Sequence, residues 1–293
     1  MSAPQVAAPA GDTPGRARLA AFELLGAALL FSTGGAAIKA TALTGWQVAC
    51  FRSGVAALFL ILVLRQPRRA YTPRVWLIGL VYAGTMICFV LSNKLTTSAA
   101  AIFLQSTAPL WVILLGPWLL SERLRRKDLP LIAALGVGLL LLFLGSRAPA
   151  VTAPRPLEGN IIALISGVFW AFTVCGLRGV AAAGGSTKAT VTAGNIVAFF
   201  ACLPMALPVT GWGLNETLGI GYLGIFQIGL AYVLVSSAIH HVSALEAALL
   251  LLLEPVLNPI WAWLVQGERP GALAVVGGTI ILGATGAKAL LRR

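Results

Sequence analysis

Charge is what this chain has least of. Only 10% of its 293 residues are charged, against about 25% in soluble domains, and whole runs of helix length carry no charged face. A soluble globular protein is excluded by that pattern, because its surface helices would each present a polar stripe. The chain also lacks HExxH, GxSxG and GxxxxGK[ST], so the sequence offers no zinc-protease helix, no nucleophile elbow and no phosphate-binding loop to drive transport directly. Its four cysteines, Cys50, Cys88, Cys175 and Cys202, lie inside apolar runs with neither metal-ligand spacing nor a disulfide framework. The two histidines, His240 and His241, are adjacent and would point to different helix faces. No cofactor is implied.

Acidic residues are scarcer still, nine against 21 Lys and Arg, for a net charge of +12. In a soluble domain that balance would raise nucleic-acid binding. Here the basic residues sit in short gaps between apolar runs, with no stripe of Lys and Arg on a polar element, and no nucleic-acid partner is expected.

What is present in quantity is apolar surface. Hydrophobic residues make up 58% of the chain, and 32 Gly and 16 Pro are spread through the apolar runs rather than gathered in loops, as in membrane helices. The expected fold class is an all-α polytopic membrane protein whose partner is the lipid bilayer. Ten spans are expected: Leu19 to Ile38, Trp46 to Leu64, Val75 to Ser92, Ser98 to Leu120, Leu129 to Gly145, Gly159 to Leu177, Thr187 to Val209, Leu218 to Ile239, Ala244 to Val265 and Ala272 to Ala289. Such lengths suit a hydrocarbon core of about 30 Å. Residues 1–18, rich in Ala, Pro and Gly, are expected to form a disordered cytoplasmic tail.

With the N-terminus inside, fifteen Lys and Arg fall on the inner side. Five fall outside (Lys39, Lys94, Arg147, Arg155 and Arg269), and Arg52 lies within the second span. The bias places both termini in the cytoplasm, in the cell (inner) membrane.

The segment Pro109 to Arg123 returns 146 positions later as Pro255, Glu268 and Arg269. Lys39 matches Arg178 at an offset of 139, and Lys94 matches His240 at 146. The chain therefore divides into a first five-helix repeat over residues 19–146 and a second over 157–290. Five is odd, so the second copy enters the membrane from the opposite side, giving two inverted repeats.

These residues resemble the drug/metabolite transporter superfamily and, within it, the ten-helix EamA-type exporters. The likeness rests on Ala101 to Pro109, Ser121 to Leu124, Glu254 to Arg269, Phe51-Arg52 and Leu30-Phe31-Ser32, and covers about residues 19 to 290. In its overall run the sequence is similar to the aromatic amino-acid exporter group called YddG. The resemblance implies export of small organic solutes. One departure stands out: the fourth span has Ala108 before its Pro where the ninth has Glu254.

Candidate substrate-binding residues are the deep aromatic and amide side chains Tyr82, Gln105, Trp170, Asn195, Gln227 and Tyr232. They supply flat apolar walls with a few donors and acceptors for amino and carboxyl groups. Packing against lipid is an equal reading for any one of them. Glu254, about 15 Å deep at 1.5 Å per residue, reads either as a proton-coupling or cavity carboxylate or as support for the Pro255 break. Arg52 reads as a coupling or structural residue able to snorkel or pair. Lys94, Glu246, His240 and His241 are expected at solvated helix ends. Pro109, Pro255 and Pro259 are expected to interrupt their helices, and spans five and ten to serve as scaffolding away from any cavity.

The expected function is secondary transport that exports small metabolites, amino acids with an aromatic preference, by alternating access. An intramembrane enzyme and a passive solute channel are the alternatives.

Overall fold

The computed structural model of the chain describes residues 14–108, 111–112, 129–145, 153–266 and 272–290. Most of Pro109 to Arg123, including both of its terminal residues, and the pair Glu268-Arg269 lie outside the described residues. So do residues 1–13.

Helix starts follow local chemistry. Pro14 opens α1 (Pro14–Ser32), where a missing N–H costs nothing, so helix begins five residues before the apolar run and carries Arg16 and Arg18 on its opening turns. A short break at Thr33 separates α1 from α2 (Gly34–Ala40). Thr44 caps α3 (Gly45–Leu64) through a capping box with Gln47, and Thr72 with Pro73 starts α4 (Pro73–Leu95). Thr97 caps α5 (Ser98–Gln105). The chain continues through α6 (Leu129–Gly145), α7 (Pro156–Ala182) and α8 (Thr187–Ala206), the last capped by Ser186.

The next helix changes winding along its length. It runs as α9 (Leu214–Tyr222), a π-helical stretch at Leu223–Leu230, and α10 (Ala231–Ala238). Ser243 then caps α11 (Ala244–Leu250), followed by α12 (Leu253–Gln266) and α13 (Ala272–Leu290). Seven helical stretches are long and apolar enough to cross a membrane, from Gly15–Ala40 to Ala244–Val265. Among the described residues, α5, α6 and α13 fall within the three other expected spans, consistent with ten helices.

The two halves repeat each other in their packing. α4 lies along α7, and α1 lies along α10, the pair obtained by exchanging halves. α3 faces α8, and α6 faces α13; each of these pairs maps onto itself. The structure is an all-α membrane fold of two inverted five-helix repeats.

The caps repeat as well. Thr97 and Ser243, 146 residues apart, each accept a backbone N–H, from Ala100 and Glu246. Lys39 Nζ donates to the Thr96 carbonyl at 2.9 Å, just past the end of α4, while Arg178 donates to the His240 carbonyl at 3.0 Å, just past the end of α10. In both halves a cation tops the negative end of a helix.

Similar bonding corrects the expectation of solvated ends. Lys94 is half-buried and donates to the Thr41 carbonyl at 2.8 Å. Glu246 is buried, and His240 Nε2 lies 3.2 Å from the Thr187 hydroxyl. His240 and His241 occupy the turn after α10 rather than two faces of a helix. Lys94 and His240 are thus taken up by a carbonyl and a hydroxyl of neighbouring segments.

The centre is apolar and close-fitting. Leu24, Ala28, Phe31, Tyr82, Trp170, Val174 and Tyr232 belong to one buried cluster. Leu58, Leu62, Leu77, Leu80 and Phe200 stand outward, as expected where lipid is the solvent. α4 crosses α8 at Gly79 and Gly194, and a Cβ on Gly194 would meet the Gly79 carbonyl oxygen at 2.8 Å as well as the Tyr82 ring. Gly194→Ala should therefore lower thermal stability in detergent by about 1–3 kcal/mol, the usual cost of overpacking. Gly221→Ala, whose Cβ meets nothing within 4 Å, should leave the melting temperature in place.

A second measurement follows from His240. Burial first, then the positive neighbours His241, Arg178 and Lys188, hold its imidazole below the ordinary value. The unfolded chain binds that proton more readily, so the stabilisation is present above the unfolded value of about 6.5 and is lost as pH falls below it. Melting temperatures taken from pH 8 to pH 5 should drop on the acid side, and His240→Gln should flatten that drop.

Candidate functional site

A partly open cavity, with about 310 Å³ of atom-free space counting its mouth, lies where the broken first span meets α3, α4, α5, α7, the π-helical stretch, α10 and α12. Its wall consists of Phe31, Arg52, Thr85, Met86, Phe89, Gln105, Trp170, Gln227, Ile228, Tyr232 and Glu254. The space is divided among the side chains, with room at any one place for little more than a water molecule. A larger solute requires the walls to part.

Helix breaks bring backbone and polar groups to this place. At the end of α1, Ser32 Oγ donates to the Leu29 carbonyl at 2.6 Å and Thr33 Oγ1 to the Leu30 carbonyl at 2.7 Å. These bonds compete with the helical ladder, and Gly34-Gly35 follow with the weakest helical preference short of Pro. Close approach fixes the glycines: a Cβ on Gly34 would meet Gln227 Nε2 at 2.6 Å, and one on Gly35 would meet Asn258 Nδ2 at 2.8 Å.

The ninth span breaks at Leu251-Leu252, between α11 and α12. Pro255 is the cause, since its ring crowds the carbonyl four residues earlier, at Leu251. α5 ends one repeat earlier in register, at Gln105, four residues before Pro109. Gly167 of α7 lets the backbone at this end approach: a Cβ there would meet Leu104 O at 2.9 Å and Gln105 O at 3.1 Å.

Four of the six expected substrate residues line the cavity. Trp170 and Tyr232 form an aromatic wall with Phe31, whose ring stands edge-on to Tyr232 at 5.0 Å and to Trp170 at 6.3 Å. Gln105 donates to Ser166 Oγ at 2.8 Å. Gln227 sits on the π-helical stretch, a form of helix frequent at functional sites. Tyr82 and Asn195 are brought near but stand behind the wall: the Tyr82 ring packs against Tyr232 at 4.7 Å, and Asn195 Nδ2 donates to the Tyr82 hydroxyl at 2.9 Å.

The two ionisable candidates join the same cavity. Arg52 does not snorkel, being 0% exposed. One of its terminal nitrogens donates to the Met86 carbonyl at 2.9 Å and the other to Gln227 Oε1 at 3.3 Å, while Nε finds no partner among the described residues. Glu254, in the first turn of α12, lines the same wall. α6 and α13, packed on each other, contribute nothing to the lining among the described residues.

Phe31, Thr85, Met86, Phe89 and Ile228 also line the cavity; in the sequence Phe31 stands out only within the Leu30-Phe31-Ser32 likeness, and none of the five as a cavity residue. Thr85 carries a readable signal, a hydroxyl deep in an apolar helix; its Oγ1 meets Thr173 Oγ1 at 3.0 Å.

Comparison with known proteins places this geometry in a family. The EamA-like transporter family matches residues 18–144 and 157–286. An uncharacterised protein of Pseudomonas aeruginosa is 32% identical over 268 residues, covering 84% of this chain and 87% of that protein. An uncharacterised transporter of Bacillus subtilis, YdfC, is 27% identical over 237 residues, covering 78% of this chain and 76% of the relative. A solved crystal structure 22% identical superposes with a TM-score of 0.73, covering 94% of this chain and 97% of that one, and shares its fold.

Gln227 is the only side-chain oxygen bonded to Arg52 among the described residues. Gln227→Leu strips that acceptor from a buried cation and should cost about 1–3 kcal/mol, read as a lower melting temperature. Gln227→Glu, which keeps an acceptor and adds a countercharge, should melt at or above the wild-type temperature.

Proposed function

The chain belongs to the EamA-like transporter family, and from that premise we propose that it exports amino acids, with a preference for aromatic ones, by alternating access through the cavity between its repeats. The observation that carries the reading is the lining itself. Phe31, Trp170 and Tyr232 offer edges and faces to a flat ring, while Arg52, Gln105, Gln227 and Glu254 offer polar contacts within the same small volume. An aromatic amino acid has both kinds of surface.

The packing supports alternating access. Helix pairs that exchange under the repeat symmetry, α4 with α7 and α1 with α10, let one half adopt the arrangement of the other, so that a central site opens first to one side and then to the other. A constricted cavity suits the closed stage of such a cycle. A passive channel would need a continuous pore lined by rings of charge or carbonyls, and an intramembrane enzyme a converging nucleophile, base and orienting group. The excess of Lys and Arg on one side supports cytoplasmic termini in the cell (inner) membrane.

Purified protein in liposomes preloaded with unlabelled phenylalanine or tryptophan should accelerate uptake of the labelled compound, with saturation. Trp170→Ala should weaken that exchange at least about tenfold, the worth of roughly 1.4 kcal/mol of lost ring contact. No counterflow across a panel of amino acids would overturn the substrate assignment. Flux that rises linearly without saturation would favour a channel.

A further inference from the structure

Two opposite charges face one cavity without meeting. Arg52 is fully buried, and its bonds go to a backbone carbonyl and an amide oxygen, with Nε left over among the described residues. Glu254 makes no side-chain hydrogen bond or ion pair with any described residue. A buried guanidinium without a counter-anion and a deep carboxylate without a cation are each costly. Had the pair served stability alone, direct contact would be the more favourable arrangement.

We propose that Arg52 and Glu254 are the two poles of a clamp for a zwitterion. The α-carboxylate of the solute docks on the unpartnered Nε edge of Arg52, and its α-ammonium docks on the Glu254 carboxylate, while its side chain lies against Phe31, Trp170 and Tyr232. The assignment rests on the transporter reading above and narrows it. The substrate class is molecules bearing both charges on neighbouring carbons; an amine without a carboxylate leaves Arg52 unpaired, and an acid without an ammonium leaves Glu254 unpaired. Gln227 is the positioning residue. It holds a terminal nitrogen of Arg52 and is itself seated against Gly34, where a Cβ would strike its amide at 2.6 Å.

The test is competition against counterflow of labelled phenylalanine in proteoliposomes, with unlabelled phenylalanine, phenethylamine (no carboxylate) and 3-phenylpropionate (no ammonium) as competitors. In the wild type each analogue should need at least about tenfold more than phenylalanine for half-inhibition, because a buried charge is left unpaired. Glu254→Gln should raise the half-saturation concentration for phenylalanine at least about tenfold and improve 3-phenylpropionate relative to it. Arg52→Gln should do the converse, improving phenethylamine, with Arg52→Lys intermediate, since it keeps the charge and loses the planar fork.

A variant that merely loosened the fold would shift all three compounds together, and that outcome overturns the clamp. So does wild-type exchange in which the three compete equally. So does transport driven by an imposed pH gradient and abolished by Glu254→Gln with the analogue ranking unchanged, which would make Glu254 a proton carrier. Should Arg52→Gln fail to fold, the Glu254→Gln arm with 3-phenylpropionate decides the matter alone. Absence of any amino-acid exchange in the wild type would remove the substrate reading itself, a result distinct from exchange with a flat ranking.

Discussion

Inside a bilayer the backbone has no water to bond, so every interruption of a helix must be satisfied by the protein itself. That constraint explains where polar chemistry gathers in this molecule. The first span breaks at Thr33, the fourth after Gln105 and the ninth at Leu251-Leu252, and residues beside each break, Phe31, Gln105 and Glu254, border one cavity. Local bonds from Ser32 and Thr33 to the carbonyls behind them, and from Asn258 Nδ2 to the Ser32 carbonyl at 2.9 Å, quench groups that lipid would leave bare. The breaks cost least when clustered, because they share donors.

The same constraint governs the ends of the spans. By position along the chain Lys39, Lys94, Arg178 and His240 resemble headgroup anchors, yet all four reach carbonyls or hydroxyls of adjoining helix ends. The offset that links Lys39 to Arg178 thus acquires a physical meaning, since both donate to a carbonyl just past a helix end, while Lys94 and His240 share a place in the repeat and bond a carbonyl and a hydroxyl respectively. Matched caps of this kind tie the two repeats to one frame, and they leave the middle free to differ.

Much of this is legible in the residues alone. Scarce charge and long apolar runs identify the solvent, and recurring polar residues identify the repeat, because polar positions in an apolar chain are too few to match by composition alone. Pro255 announces its break, since the ring acts on a carbonyl at a fixed distance along the chain. Four of six candidate site residues line the cavity because deep amides and aromatics are expensive to leave against lipid. The rest is hidden for the reason that sequence carries no rotation: Tyr82 and Asn195 have the same chemistry and depth as Tyr232 and Gln227, yet stand one layer back. The break at Thr33 is written as Ser-Thr-Gly-Gly, a weaker signal than Pro. Arg52 misleads because its distance from the span end suggests a reach to water that the packed Met86 and Gln227 close off.

The asymmetry between repeats has the most to say about chemistry. The starts of α3 and α8 are 142 residues apart, Gly45 and Thr187, so the place of Arg52 falls in the second repeat at Gly194, beside neutral Asn195. The place of Glu254 falls in the first repeat at Ala108, which is buried in the apolar cluster with Val112 and Ala247. Each repeat therefore lends the cavity one charge and withholds the other. Duplicating either charge would set two like charges in a small volume of low dielectric, where mutual repulsion is strong. One of each sign gives the cavity a polarity that the repeat symmetry by itself would not.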